Sequence, residues 1–296
     1  MYIYVVLCIV LCVMCYVLCV IVLNKQRMIA SIHVIHIADR VDREPTMRAL
    51  NEKLQPLLLL QMQMQNRIDP VPIQIFTATR QSDGRKGCYE SHVAVMKRAL
   101  SFNSEQHALI FEDDAEFASD MSTSRIQKLF NEALQFINKN KTLEILFLGS
   151  FPNIFVANDT VRIEKEGFQH IFKTNPATTH AYIASAPFMK RMTERFYEFH
   201  GIPIDDFYKS SLINTHAIYP SIFLQSSSES DIASPLASFV SKFKLKKFIW
   251  RLAEFYATST SISLKHVLFV SSILLVLMYL LKLERILRIF HQFLYI

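Results

Sequence analysis

One stretch constrains this chain more than any other. His107-Ala108-Leu109-Ile110-Phe111 is followed at once by Glu112-Asp113-Asp114. The apolar run reads as a strand buried in a core. Three adjacent carboxylates cannot follow it inside unpaired. They belong at the edge of a sheet, facing water, a cation or a ligand. In open α/β sheets ligands gather at the carboxyl ends of strands. Hard oxygen donors suit Mg²⁺ or Mn²⁺, ions that share their coordination with a substrate phosphate. The alternative is an acidic loop that is only solvated.

The neighbouring segments place this strand in an α/β domain. Ser31 to Ile37 alternates apolar and polar residues and reads as a first strand, and Ile73 to Ala78 as a second. Thr46 to Gln65 reads as a helix that Pro56 kinks or breaks. Cys88 to Phe102 has helical periodicity, with Val93, Met96, Ala99 and Leu100 on its apolar face. Ser122 or Thr123 can cap a helix running to about Asn138. Leu143 to Leu148 is a short buried strand closed by Gly149. Thr179 to Ala184 is a strand, Pro187 to Tyr197 a helix with proline at its start, and Ala217 to Gln225 a strand around Pro220. Strands alternating with helices predict an α/β fold with a mostly parallel sheet.

The ends of the chain are different. Hydrophobic residues make up 51% of the sequence, and the excess lies at the termini. Tyr2 to Leu23 is unbroken apolar sequence and as a helix would reach roughly 33 Å, enough for a bilayer core. No basic leader and no cleavage site accompany it, so a retained anchor is expected. Cys8, Cys12, Cys15 and Cys19 share one face of that helix, which cannot by itself wrap a tetrahedral ion. Ser241 to Tyr256 reads as a basic amphipathic helix for an anionic membrane surface. Ser261 to Leu281 is a candidate second span, with Lys265 snorkelling. The net charge of +6 is concentrated beside these apolar segments, which points to membrane lipids and not to nucleic acid. The expected divisions are an anchor at 1–27, a catalytic domain at 28–232, a linker and surface helix at 233–260, and a second hydrophobic helix with an amphipathic tail at 261–296. Lys25, Arg27 and the later Lys/Arg cluster favour a cytosolic domain. The sequon Asn158-Asp159-Thr160 would be usable only in a lumen. With five glycines and neither GxGxxG nor GxxxxGK[ST], the sequence offers no Rossmann dinucleotide fingerprint and no P-loop.

Several pieces, in order, resemble one family. They are HVIHIADRVDR from His33 to Arg43, Gly87-Cys88 with Ser91-His92, and LIFEDD. LEILFLG, His180-Ala181-Tyr182-Ile183-Ala184-Ser185, Asp205-Asp206, Tyr219-Pro220, and Gln225 leading to Ser230-Asp231-Ile232 follow. Over residues 31 to 232 the chain is similar to glycosyltransferase family 25, the LPS glycosyltransferase and procollagen galactosyltransferase family. The resemblance implies a GT-A type nucleotide-sugar-binding fold, a UDP-sugar donor carrying galactose or glucose, Mn²⁺ or Mg²⁺, and transfer to a hydroxyl acceptor with inversion.

That resemblance also implies roles. Asp114 is the first choice for metal contact and Asp113 the second. Glu112 meets the ribose or base, or supports the loop. Ser91 and His92 fall at the donor pocket. Asp205 and Asp206 are candidates for the base that takes the acceptor proton, and are equally suited to cap a helix. Arg40, Arg43 and Arg85 are candidates for the diphosphate. His180 departs from the family, standing where it has glycine. The competing reading is a membrane-attached interaction protein that keeps the fold without the activity.

Overall fold

A computed structural model describes residues 29–64, 71, 73–152, 161–162, 168–174, 177–210, 213–226, 246–259 and 271–273. The expected N-terminal anchor with its four cysteines, the sequon, the Ser-rich linker and most of the second hydrophobic segment lie outside these residues. Among the described residues no helix is long and apolar enough to cross a membrane.

In chain order the elements are β1 (Ile29–Ile37), α1 (Glu44–Met64), β2 (Ile73–Ala78), α2 (Gly84–Phe102), β3 (His107–Glu112), β4 (Ala115–Phe117), α3 (Thr123–Lys139) and β5 (Ile145–Phe151). They continue with β6 (Val161–Arg162), β7 (Ile171–Lys173), β8 (Ala177–Ala184), α4 (Ala186–Arg195), α5 (Ile204–Tyr208), β9 (Thr215–Ile218), β10 (Phe223–Gln225) and α6 (Lys246–Ser259). Eight strands form one sheet in the order β2-β1-β3-β8-β5-β9-β7-β6, and β10 pairs with β4 in a separate ribbon. The sheet is mixed. Six strands run one way, while β7 and β8 run against them. Strand direction leaves no trace in local periodicity, so the sequence pattern could not separate the two reversed strands from the rest.

Helices cover both faces, as the continuous apolar strands require. Leu109 and Phe111 of β3 join Leu146 and Leu148 of β5 in a core under α1 and α3. Ala108 and Ile110 join Ile145 and Phe147 in the opposite core under α2, α4 and α5. This two-residue alternation on both faces explains why β3 carries no polar residue between His107 and Glu112. Helix α1 runs through Pro56 without ending. The expected cap of α3 forms at Ser122, whose side chain accepts from Arg125 N–H.

Three expectations change. Gly149 does not close its strand; β5 continues to Phe151. Ala217 to Gln225 is not one strand. Pro220 lacks the N–H that a ladder needs, and β9 stays in the main sheet while β10 joins β4. The basic helix near the C-terminus is docked on the domain. Trp250 is buried against Ala118 and Leu224, and its ring packs at 5.5 Å from Phe151 and 5.3 Å from His180. Buried Glu254 accepts from Ser221 N–H at 2.8 Å and from Trp250 Nε1–H at 3.2 Å. Arg251 grips Asp120 through two nitrogens at 2.7 and 2.9 Å. Phe248 and Phe255 remain exposed on α6. A helix with aromatic and basic residues can present either face, and only packing decides which is buried.

Two buried histidines outside the sheet tips set an acid sensitivity. Burial, aided by Arg98, lowers the His33 pKa from 6.5 to about 4, and burial with Lys173 does the same to His216, again to about 4. The folded state refuses protons that the unfolded state accepts as pH falls from 6.5 towards 4. Stability is therefore complete above pH 6.5 and declines through that window, by up to about 3 kcal/mol per histidine. In urea unfolding between pH 7 and 5, the double variant His33→Gln/His216→Gln is expected to show a flatter pH slope than wild type. Parallel slopes would mean that other groups set the acid sensitivity.

Candidate active site

The carboxyl ends of β1 and β3 and the start of α2 surround a cavity of about 290 Å³. Ser91, His92, Glu112, Asp113 and Asp114, all expected at the donor pocket, line it. Gln225 and Cys88 line it as well. Helix α2 begins beside it because Asp83 caps the helix, its side chain accepting from Arg85 N–H.

The three acids have three different environments. Glu112 ends β3 on the α2 side, where Thr179 Oγ1–H donates to its Oε1 at 2.6 Å. His92 Nε2 lies 3.3 Å from the same oxygen. A carboxylate only accepts, so His92 Nε2 carries the proton and Nδ1 accepts from Tyr182 O–H at 2.7 Å. Tyr182 in turn meets the Tyr208 hydroxyl at 3.4 Å. Burial raises the Glu112 pKa, but the hydrogen bonds from His92 and Thr179 outweigh it, so the net shift is downward. Glu112 is an ionised anchor for this buried chain of side chains.

Asp113 lies in the turn after β3 and faces the end of β1 and Arg43. Its Oδ2 accepts from His36 Nδ1 at 2.9 Å and from Ile37 N–H at 3.2 Å. Its Oδ1 accepts from Arg43 Nη1–H. Both oxygens are thus engaged within the protein.

Asp114 is held at one oxygen. Its Oδ2 accepts from Gln225 Nε2–H at 2.9 Å and lies 3.4 Å from Arg43 Nη1. Its backbone carbonyl accepts from Ser226 N–H at 2.7 Å. Its other carboxylate oxygen, Oδ1, is buried and has no hydrogen-bond partner among the described residues. Burial and the nearby Glu112 charge push its pKa up to about 7, against the pull of Arg43 and Gln225. A buried carboxylate with an unmet oxygen, on a residue that lines the cavity, is chemically fitted to a hard divalent ion.

Of the remaining expected residues, Arg43 also lines the cavity, and Arg40, Arg85, Asp205 and Asp206 do not. Asp205 and Asp206 lie in the first turn of α5 and do not line the cavity; Pro203 takes the N-cap position, so neither acid caps the helix. Lys209 Nζ lies 2.6 Å from Asp206 Oδ1 and 3.9 Å from Asp205 Oδ2. Burial raises the Asp205 pKa, partly offset by Lys209, and the Asp205 charge reaches the Cys88 thiol. Arg43 binds the acids, Arg40 binds Asp42 and Arg85 binds Asp83. Ser91 Oγ–H donates back to Gly87 O at 2.6 Å. His180 sits under Trp250, not in the cavity. Sequence reasoning missed His36, Thr179 and Tyr182. The usable signal was a polar residue near the end of an otherwise apolar strand.

The family model for glycosyltransferase family 25 (LPS biosynthesis protein) matches residues 34–208. The chain belongs to this family. As a family-25 protein it is a glycosyltransferase, and the matched span runs from β1 to the end of α5, enclosing the acidic strand and most of the cavity wall. No curated protein matches the sequence. Among solved structures the chain is similar to A197 from STIV, at 12% identity and TM-score 0.34, over 66% of this chain and 83% of that one. It is also similar to a glycosyltransferase involved in the glycosylation of the major capsid of PBCV-1, at 9% identity and TM-score 0.36, over 72% and 98%. GalNAc-T7 with UDP, GalNAc and Mn²⁺ matches at 7% identity and TM-score 0.37, over 81% and 52%. These likenesses are distant.

Proposed function

We propose that this glycosyltransferase moves a hexose, galactose or glucose, from a UDP-sugar to a hydroxyl acceptor with inversion, and that it depends on Mn²⁺ or Mg²⁺. The observation that carries the reading is the buried Oδ1 of Asp114, a cavity-lining residue, which has no hydrogen-bond partner among the described residues. Asp114 would hold the ion, with water and diphosphate oxygens completing its shell. Asp113, with both oxygens engaged, orients Arg43 and supports the turn. When bound, the ion would neutralise the charge of the departing nucleoside diphosphate. His92 and Ser91 shape the donor side of the cavity. Asp205 is the better candidate for the base, since it is less exposed than Asp206 and less tightly paired with Lys209.

The reading includes a membrane. Tyr2–Leu23 anchors the chain, and Lys25 and Arg27 keep the domain on the cytosolic side. Exposed Phe248 and Phe255 on α6 are suited to a lipid surface.

The test uses the full chain in detergent with a panel of UDP-sugars and Mn²⁺. UDP release with one donor, abolished by EDTA and restored by Mn²⁺, is the expected result. A folded protein that binds no UDP-sugar with metal would return the chain to the reading of a fold kept without activity.

A further inference from the structure

The cavity carries a second set of possible metal ligands, to which the transferase reading assigns no ion. Cys88 Sγ, a nitrogen of His92 and a carboxylate oxygen of Glu112 lie within 4.8 Å of one another. All three residues line the cavity, and Cys88 is a free thiol. We infer that Cys88, His92 and Glu112 form a binding site for a thiophilic divalent ion of the zinc class, separate from Asp114 and open to the cavity. The site stands whether or not the cavity takes a nucleotide sugar.

The geometry is close to what such an ion requires. Two N or O ligands at about 2.0 Å in a tetrahedral shell are about 3.3 Å apart. His92 Nε2 and Glu112 Oε1 are 3.3 Å apart already. The thiol is within 4.8 Å, so a shift of at most roughly 1.3 Å brings it to the separation of about 3.5 Å between sulfur and nitrogen ligands of a tetrahedral shell. A fourth position would face the cavity and take water.

The supporting contacts are in place. A ligating histidine is oriented by a hydrogen bond at its other ring nitrogen, and Tyr182 O–H supplies it at 2.7 Å. Thr179 holds Glu112. When the ion enters, the thiol proton leaves to solvent. The imidazole changes tautomer, so that Nδ1–H donates to the Tyr182 oxygen and the Tyr182 hydroxyl turns to Tyr208. The hydrogen bond between His92 and Glu112 is replaced by two bonds to the ion. A thiolate, an imidazole and one carboxylate favour zinc-class ions, whereas Mn²⁺ and Mg²⁺ prefer oxygen. An ion here would occupy part of the cavity that these three residues line.

The experiment is a Cd²⁺ titration of the full chain, read by thiolate-to-metal absorption in the near ultraviolet. Every sample carries Cys8→Ala, Cys12→Ala, Cys15→Ala and Cys19→Ala, so that Cys88 is the one thiol. The expected result is a single saturable band that disappears in Cys88→Ser. Partners outside the ligand shell are worth roughly 10–100-fold in metal affinity. Tyr182→Phe should therefore weaken Cd²⁺ binding about tenfold, and His92→Gln by more. Asp114→Asn should leave the Cd²⁺ band intact while removing Mn²⁺ binding, which separates this site from the transferase reading. No saturable band, or a band that ignores His92→Gln and Glu112→Gln, would reduce Cys88 to a solitary thiol and overturn the inference. Thermal unfolding of each variant shows whether it folds. If His92→Gln does not, the isosteric Cys88→Ser and Glu112→Gln decide the matter.

Discussion

Asp114→Asn is expected to lower metal-dependent kcat/KM on the order of 10³-fold, about 4 kcal/mol of transition-state stabilisation, while leaving the protein as stable as wild type or slightly more so. The two halves of this result have separate causes. Asparagine keeps an oxygen that can accept from Gln225 Nε2–H, the bond that ties the turn to β10. It removes a carboxylate whose burial and proximity to Glu112 already oppose its charge. What is lost is the anionic oxygen that no protein group among the described residues satisfies. The measurement pairs UDP release at saturating Mn²⁺ with urea unfolding. Full activity in Asp114→Asn would sink the metal assignment. Loss of fold together with activity would make Asp114 a structural residue.

Gly149→Ala is expected to be the most damaging small substitution in the sheet. An added Cβ would stand 2.4 Å from the Phe223 carbonyl oxygen, 2.4 Å from His180 Nε2 and 2.9 Å from the Phe223 carbonyl carbon. The carbonyl belongs to β10, which is paired with β4 and carries Gln225 to Asp114, so it cannot withdraw without moving the site. Overpacking of this kind costs about 3 kcal/mol or more. Gly87→Ala is the contrast. The nearest atoms to its Cβ would be those of the flexible Gln81 side chain, at 3.4 Å and beyond, and alanine is favoured within a helix by up to about 1 kcal/mol. Urea midpoints should therefore move far down for the first and little or upward for the second. A Gly149→Ala protein within about 0.5 kcal/mol of wild type would mean that β5 and β10 are not this close.

Much of the site was legible because strand tips announce themselves. The turn from Phe111 to Glu112 locates a sheet edge without any knowledge of the fold. Ser91 and His92 were placed at the same pocket by resemblance, and they line the same cavity as the acids. The division of labour among the acids was not legible. Asp113 is engaged by His36, 77 residues away, and Asp114 by Gln225, 111 residues away. No spacing rule connects residues so distant. The same limit applies to Gly149. Read locally it punctuates a strand; in three dimensions it makes room for a carbonyl 74 positions further along the chain.

The features that could be read from the chain were therefore local and repetitive. They are the alternation that buries β3 and β5 on both faces, the helices that cover them, the cap at Ser122 and the family to which residues 34–208 belong. Folding in three dimensions was needed to fix the directions of β7 and β8, the docking of α6 through Trp250 and Glu254, and which carboxylate oxygen remains unmet. One cause underlies each case. Periodicity and capping are settled by neighbours along the chain, whereas strand direction, the buried face of a helix and the charge state of a carboxylate are settled by neighbours in space.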